Sequence, residues 1–94
     1  MEKRLGVIAI LVTKKDHVPQ LNAILSDYGH LIHGRMGLPM RDHTLHMISL
    51  IVEGTTDELG ALSGKIGRLK GISVKSVLTK LKEADHGERE EILS

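Results

Sequence analysis

An apolar stretch near the start of the chain decides the fold: Leu5-Gly6-Val7-Ile8-Ala9-Ile10-Leu11-Val12. Because almost every position of this short run is apolar, we predict a β-strand that is buried on both faces. Successive side chains of a strand point to opposite faces, so the stretch carries two apolar sets. These sets are Val7, Ala9 and Leu11 on one face and Ile8, Ile10 and Val12 on the other. Both faces of the predicted sheet therefore need a cover.

A helix and a strand hairpin are predicted after this first strand. Apolar residues at helical spacing over 16–28 predict a helix with Asp16 as its N-cap and Gly29 just past its end. Two strands are predicted next, over residues 31–37 and 44–52, with a short turn between them. The fold makes these two strands hairpin neighbours.

The second helix carries a clear local signal. Thr55 followed by Glu58 three residues later has the spacing of a capping box, which begins a helix. The apolar stripe of this helix consists of Leu59, Leu62, Ile66 and Leu69. Gly71 is predicted to end the helix, and residues 72–78 then alternate as a fourth strand.

The predicted order β-α-β-β-α-β is that of the split βαβ, ferredoxin-like fold, which is of the α+β class. This fold has one four-stranded antiparallel sheet with both helices on one face. Since a large uncovered apolar patch is typical of an interface, we expect a homo-oligomer, either a dimer or a tetramer. Residues 1–80 are expected to form this domain, and residues 81–94 an acidic tail that is a frayed helix or disordered. The alternative cover for the second face is this tail folding back over the sheet.

The composition argues against several kinds of protein. The chain of 94 residues has no cysteine, which excludes disulfides, thiolate metal sites and cysteine nucleophiles. Its net charge is only +1 and its single aromatic residue is Tyr28. Because nucleic-acid binders usually have a strongly basic surface or aromatic stacking residues, we expect no direct binding of nucleic acid. The first apolar stretch is much shorter than the roughly 20 residues of a membrane span, so we expect a cytoplasmic protein without membrane contact. No recognisable catalytic motif is present, and we expect no enzyme.

Three parts of the sequence resemble a known family: Arg35-Met36-Gly37-Leu38-Pro39, residues 46–52, and residues 60–67 with Gly71-Ile72-Ser73-Val74-Lys75. They are similar to the iron-only hydrogenase system regulators, which are short ACT-like proteins. The resemblance implies an ACT-like ferredoxin fold, oligomeric assembly and a regulatory role linked to hydrogenase maturation. It also implies partners among hydrogenase-maturation or regulatory proteins. ACT modules bind small effectors at subunit interfaces, typically with a glycine in the loop after the first strand, and residues 14–20 here contain no glycine.

Histidines make the predicted hairpin one candidate site. His30, His33, His43 and His46 straddle its strands, and imidazoles across a hairpin can ligate a divalent metal. The candidate metal ligands are His33, His43 and His46. Alternation places the members of each pair, His30 with His33 and His43 with His46, on opposite faces. The chain also resembles, more distantly, the ligand-binding domain of the nickel-responsive regulators, which uses histidines plus a cysteine that is lacking here.

A second candidate site is a cationic patch for an anion on the same hairpin. His33 and Arg35 are two residues apart and are therefore expected on one strand face, with Arg41 and His43 across the turn. We assign ligand binding to His33, Arg35 and Arg41. Arg35 is the first choice because it also lies in the family-like segment.

Three glycines in the second helix form a further feature. Gly60, Gly64 and Gly67 fall on one side of the helix, apart from its apolar stripe. A glycine inside a helix costs about 1 kcal/mol relative to alanine, so we expect close packing or an interface on this side. The first helix, a neighbouring subunit or a ligand would supply that contact.

Three functions therefore stay open. The first is a regulatory module that binds a small organic effector at a subunit interface. The second is a metal-binding module that uses the hairpin histidines for a divalent metal. The third is a structural adaptor that binds no small ligand.

Overall fold

The computed structural model describes residues 2–39 and 45–82, with side chains as far as Thr79. The elements are β1 (Arg4–Val12), α1 (Val18–Asp27), β2 (Ile32–Pro39), β3 (His46–Gly54), α2 (Thr56–Gly67) and β4 (Ile72–Lys82). Short 3₁₀ turns, Lys15–His17 and Gly29–Leu31, flank α1. No helix in these described ranges is both long and apolar enough to cross a lipid bilayer.

The four strands form one antiparallel sheet in the order β2-β3-β1-β4, and both helices pack into a single core on one face. This arrangement is ferredoxin-like, so the predicted fold class is confirmed. The apolar stretch becomes an inner strand, since Ile8 pairs with Leu50 of β3 on one side and with Ser76 of β4 on the other. Helices lie on only one face of this inner strand, so they bury only one of its two sets of apolar side chains.

One face of β1 anchors the core. Ile8 and Ile10 are fully buried, and Val12 is nearly so. They share a cluster with inward residues of both helices, among them Leu21 and Leu62. Burying an aliphatic side chain of this size stabilises the fold by about 1.5–3 kcal/mol relative to leaving it exposed. The described elements place no second layer on the other face of the sheet.

The ends of α1 differ from the prediction. Asp16 lies inside a 3₁₀ turn and the helix begins at Val18 without a side-chain cap, so Asp16 is not its N-cap. At the other end, Gly29 lacks a positive φ and begins the second 3₁₀ turn, so it is not a left-handed C′ residue. In both places a tighter turn continues the helical path, and the capping that the sequence suggested is not used.

Gly71 has the left-handed backbone required by the turn between α2 and β4, with a φ of 78°. Its carbonyl oxygen accepts hydrogen bonds from the Thr13 N–H (2.7 Å), the Thr13 hydroxyl (2.9 Å) and the Lys14 N–H (3.2 Å). Helix α2 itself ends earlier, at Gly67. Gly71 therefore ties the end of β1 to the start of β4 as well as reversing the chain.

The fourth strand, Ile72–Lys82, is longer than the predicted 72–78 and passes the domain end expected at residue 80. Its last residue pairs with Arg4 at the start of β1. Pairing with the first strand therefore extends β4 beyond its apolar alternation. The rest of the predicted acidic tail, residues 83–94, lies outside the described residues.

Helix α2 begins with the predicted capping box. The Thr55 backbone N–H donates to Glu58 Oε1 at 2.9 Å, and the Glu58 backbone N–H donates to Thr55 Oγ1 at 3.1 Å. The second of these bonds satisfies an N–H that the helix start leaves without a backbone partner. Hydrogen bonds from Thr55 also stabilise the charged carboxylate and hold the pKa of Glu58 below its usual value.

Replacing Thr55 by alanine should lower the free energy of unfolding by about 1 kcal/mol, because the Glu58 N–H loses its acceptor. For a domain of this size the same loss lowers Tm by about 4–8 °C. Thermal and denaturant unfolding, followed by circular dichroism, measure the change. Thr56→Ala, at the exposed neighbouring position, is the matched control and should stay within about 0.5 kcal/mol of wild type. An equal loss in both variants would contradict the capping role.

Glu58→Gln should remove a pH-dependent part of the stability. A carboxyl whose pKa is lowered by folding contributes stability above its unfolded-state pKa, and this is lost as the pH falls through its folded-state pKa. The stability difference between wild type and Glu58→Gln should therefore be largest near neutral pH and vanish in strong acid. Denaturant titrations at a series of pH values measure this difference, which should not be constant with pH.

Candidate functional site

A cleft on the helix side of the sheet is the candidate site. It has a volume of about 320 Å³ and lies between the first half of α1 and the adjoining parts of β2 and β3, and we call it the α1 cleft. Its lining residues are Val12, Lys15, Val18, Leu21, Asn22, Arg35, His46 and Ile48. This volume is at the lower end of the range for small-molecule sites, about 300–1,000 Å³.

The floor of the α1 cleft is apolar. Val12 and Leu21 are almost completely buried, and Val18 and Ile48 are half-buried beside them. These side chains lie here because they belong to the helix-facing sides of β1 and β3 and to the sheet-facing side of α1. The floor is therefore an exposed margin of the same core that stabilises the fold.

The polar side chains of the α1 cleft are all capable of donating hydrogen bonds: Lys15, Asn22, Arg35 and His46. None of the described lining residues is acidic. Within residues 2–39 and 45–82, the Arg35 guanidinium forms no ion pair with a carboxylate. A guanidinium above an apolar floor suits an anion, such as a carboxylate, that carries a hydrocarbon part.

A bulge in β2 determines which side chains reach the cleft. Ile32 pairs with Val52 and Gly34 pairs with Ile51, so β2 advances by two residues where β3 advances by one. The extra residue of β2 is His33. A bulge of this kind breaks the strict alternation of a strand and redirects the side chains around it.

His33 and Arg35 consequently lie on opposite faces of the sheet, and the prediction that they share a face is wrong. Arg35 pairs with the buried Leu50 and lines the α1 cleft on the helix side. His33 Nε2 lies 2.7 Å from Glu53 Oε1, whose strand position faces away from the helices. Arg41, the third residue of the predicted ligand set, lies outside the described residues.

The structure does not bring the predicted metal ligands together. His46 lies at the start of β3 on the helix side, where it pairs with Val12 and lines the α1 cleft. His33 lies on the other face, near the opposite end of the hairpin. Among the residues that the structure describes, no group of three or more ligating side chains is placed to hold a metal ion. His43 lies outside the described residues.

Of the three glycines on α2, Gly67 alone has a close neighbour within the described chain. A Cβ on Gly67 would lie 3.3 Å from Val74 Cγ1, whereas a Cβ on Gly60 or Gly64 would meet no described heavy atom within 4 Å. The expected packing of the first helix against Gly60 and Gly64 is therefore wrong, because both lie on the exposed side of α2. An approach by another subunit to these two glycines stays a prediction.

Sequence reasoning selects Arg35 but misses two of its neighbours. Lys15 comes from the 3₁₀ turn after β1, and Asn22 follows the buried Leu21 on α1. Polar residues that follow directly on a buried strand lie at the end of the sheet, and this signal points to Lys15. The spacing of the histidines predicts a metal site for His46, whereas the fold places it in the α1 cleft with Arg35.

Comparison with known proteins places the chain in a family. The family model TM1266-like, described as "Iron-only hydrogenase system regulator, putative", matches residues 4–76. The chain belongs to this family. The uncharacterized protein TM1266 from Thermotoga maritima, whose structure is solved, is 35% identical in sequence to this regulator-family chain. The match covers 84% of this chain and 100% of that one, with a TM-score of 0.79. The comparison with curated proteins gives no match.

Two further solved structures share the fold of this regulator-family chain. The ACT domain from GTP pyrophosphokinase of Chlorobium tepidum is 20% identical, with a TM-score of 0.66, over 80% of this chain and 99% of its own. CPII, a nitrogen regulatory PII-like protein from Thiomonas intermedia K12, is 16% identical, with a TM-score of 0.52, over 83% of this chain and 92% of its own. These likenesses show the fold alone, and with it the predicted ACT-like architecture is confirmed.

Gly64→Ala should raise the free energy of unfolding by up to about 1 kcal/mol, because the added methyl group meets open space and alanine favours the helix. Gly71→Ala should instead lower it by more than about 1 kcal/mol, because its φ is positive and the new Cβ would lie 2.6 Å from Lys14 Cβ. Denaturant unfolding measures both. A loss of stability or an altered oligomer size in Gly64→Ala would indicate that another subunit approaches α2 at this glycine.

Proposed function

We propose that this chain is a non-enzymatic regulatory module of the iron-only hydrogenase system that binds a small anionic effector. Membership of the regulator family and the ACT-like fold support the regulatory part of this proposal. The observation that carries the effector part is the α1 cleft, with Arg35 at its rim and an apolar floor beneath. We further propose that the module acts as a cytoplasmic homo-oligomer, and that it signals to a hydrogenase-maturation or regulatory protein.

The chemistry of the lining defines the class of effector. Lys15 and Arg35 offer positive charge, and Asn22 and His46 offer further hydrogen bonds. The aliphatic floor favours a hydrocarbon group and has no polar atoms to hydrate a second charge. We therefore propose a carboxylate with a short aliphatic part. This class is small enough for a cleft of about 320 Å³.

The position of the cleft gives such an effector a way to act on the protein. Lys15 and Asn22 belong to the segment that contains α1, whereas Arg35 belongs to the edge strand β2. A ligand held by both sides would tie the start of α1 to the edge of the sheet. A ligand shifts a conformational equilibrium only when it binds one state better than the other. A ligand that bridges two elements meets this condition when the elements are further apart in the other state.

The proposal is tested by titrating the protein with isovalerate and, separately, with the uncharged analogue isovaleramide. Both have the same branched hydrocarbon group, and only isovalerate carries a carboxylate. We expect isovalerate alone to shift the backbone amide NMR signals of the residues that line the α1 cleft, with saturation in the millimolar range. Equal shifts with both compounds would contradict recognition of the anion.

Arg35→Ala should weaken isovalerate binding by about tenfold or more, since a hydrogen bond to a charged group is worth about 1.5–3 kcal/mol. Arg68→Ala removes an exposed arginine from the end of α2, outside the α1 cleft, and is the matched control. It should bind isovalerate as wild type does. If neither isovalerate nor inorganic phosphate shifts the signals of wild-type protein, the effector proposal is wrong and a structural adaptor becomes the better account.

A further inference from the structure

We propose that the face of the sheet that the helices leave uncovered binds a second copy of this chain, sheet against sheet, about a two-fold axis. We call this surface the open face. Its large apolar residues are Leu5, Val7, Met36, Leu38, Met47, Ile51 and Val77. This inference rests on the proposed function, which already includes a homo-oligomer. It adds which surface forms the interface and states that a second copy binds there.

Exposed apolar side chains gather on this one surface. In the described structure every exposed large hydrophobic residue belongs to the open face, and Val77, Met36 and Leu38 are 71%, 66% and 59% exposed. The register explains the gathering, because it places Val7 between Ile51 of β3 and Val77 of β4. Side chains from all four strands therefore form one continuous apolar surface.

The size of the open face matches a stable interface. Four strands about 4.8 Å apart and about 30 Å long cover a flat area on the order of 500 Å². The accessible surface of such a corrugated face is larger than its flat projection. It is therefore of the same order as the roughly 800 Å² that each partner buries in a standard protein–protein interface. Contiguous apolar surface on this scale is typical of an interaction site.

The relief of the open face suits a copy of itself. Two shallow hollows interrupt it, one of about 250 Å³ beside Gly34 and Ser49 and one of about 290 Å³ beside Ala9 and Ser73. Met36 borders the first hollow and projects from the surface. In a two-fold interface every contact is made twice, so a hollow that accepts Met36 of one copy has an equivalent hollow that accepts Met36 of the other. Methionine, with its flexible side chain, fills irregular gaps of this kind.

The charges of the open face also allow two copies to meet. Among the described strand residues, the register places the charges of Glu53 and Lys75 on this face, and both lie towards its margin. The Glu53 carboxylate is already hydrogen-bonded to His33 at 2.7 Å. The centre of the face is therefore uncharged, and two copies bring no like charges together there. Interface cores are depleted of charged residues and enriched in methionine.

The last part of the chain, residues 83–94, is less suited to this surface than a second copy. Its sequence contains five acidic residues, and its large apolar residues are Ile92 and Leu93. The open face presents seven exposed large hydrophobic side chains. Two apolar residues at the end of an acidic segment do not match that area, whereas another open face presents an equal apolar area.

Ile51→Lys tests the surface, because Ile51 lies near its centre, opposite Val7, and is 47% exposed. Light scattering should give wild-type protein an even multiple of 10.3 kDa and Ile51→Lys a mass of 10.3 kDa, with unchanged circular dichroism. Ala23→Lys, on the exposed side of α1, is the matched control and should keep the wild-type mass. A monomeric wild type, or an Ile51→Lys variant with the wild-type mass, overturns the proposal.

A second test does not depend on a charged substitution. Because the chain has no cysteine, Ser49→Cys introduces a single thiol on the open face, and Ala23→Cys introduces one on the helix side. The Ser49→Cys thiol should react with iodoacetamide about tenfold more slowly than the Ala23→Cys thiol, because interface cores exclude solvent. Dilution to monomer mass should abolish this protection. Equal reaction rates of the two thiols in the oligomer overturn the proposal. Protection of the Ser49→Cys thiol that persists in the monomer also overturns it, and would indicate that another part of the same chain lies over the open face.

The two proposals fail separately. If wild-type protein has the mass of an oligomer and Ile51→Lys is monomeric, but neither isovalerate nor inorganic phosphate shifts any signals, the effector proposal alone is wrong. If wild-type protein is monomeric and isovalerate still shifts the Arg35 amide signal, the open-face proposal and the homo-oligomer part of the proposed function are wrong, whereas the effector part stands. If wild-type protein is an oligomer and Ile51→Lys keeps its mass, the open-face proposal alone is wrong.

Discussion

The burial of β1 constrains the rest of the structure, because an inner strand that is apolar on both faces needs a layer on each side. Two helices of ten and twelve residues cover one face, where Ile8 and Ile10 are fully buried. The other face keeps the alternate residues exposed, including Leu5 and Val7. Apolar surface left in water costs about 25 cal/mol per Å², so the same sequence pattern that builds the core also favours association. The fold and the proposed assembly therefore have one physical origin.

A single inserted residue decides what the hairpin presents on each face. Without the bulge at His33, alternation would place His33 and Arg35 on one face, as their spacing suggests. The bulge leaves His33 beside Glu53 and sends Arg35 to the α1 cleft. Because β2 is an edge strand that pairs with β3 alone, it accommodates the extra residue without disturbing a second neighbour. The presence of Arg35 in the α1 cleft thus depends on an irregularity of the backbone as much as on residue type.

Features with local causes could be predicted from the sequence, and features set by long-range pairing could not. The apolar run of β1 and the Thr55–Glu58 spacing each determine structure through residues that are close in sequence. The element order and the capping box, which such signals predict, are confirmed. The bulge depends on how β2 meets β3, which no spacing within β2 records. For the same reason Arg35 could be predicted, because it lies in the family-like segment, whereas Asn22 could not. Only the packing of α1 brings Asn22 to the α1 cleft. Faces predicted by alternation hold until the first irregularity of pairing.

Arg35 connects the two surfaces to which function is proposed. It lines the α1 cleft on the helix side, and it also borders the hollow on the open face that lies beside Met36. A ligand that ties Arg35 to α1 fixes the part of β2 that supplies Gly34 and Met36 to the open face. Coupling between two binding events is reciprocal, so an effector that favours pairing of the sheets must itself bind more tightly to the paired form, by the same factor. In the two proposals taken together, a bulged edge strand shared by the α1 cleft and the open face would couple effector binding to pairing, without any hinge between domains.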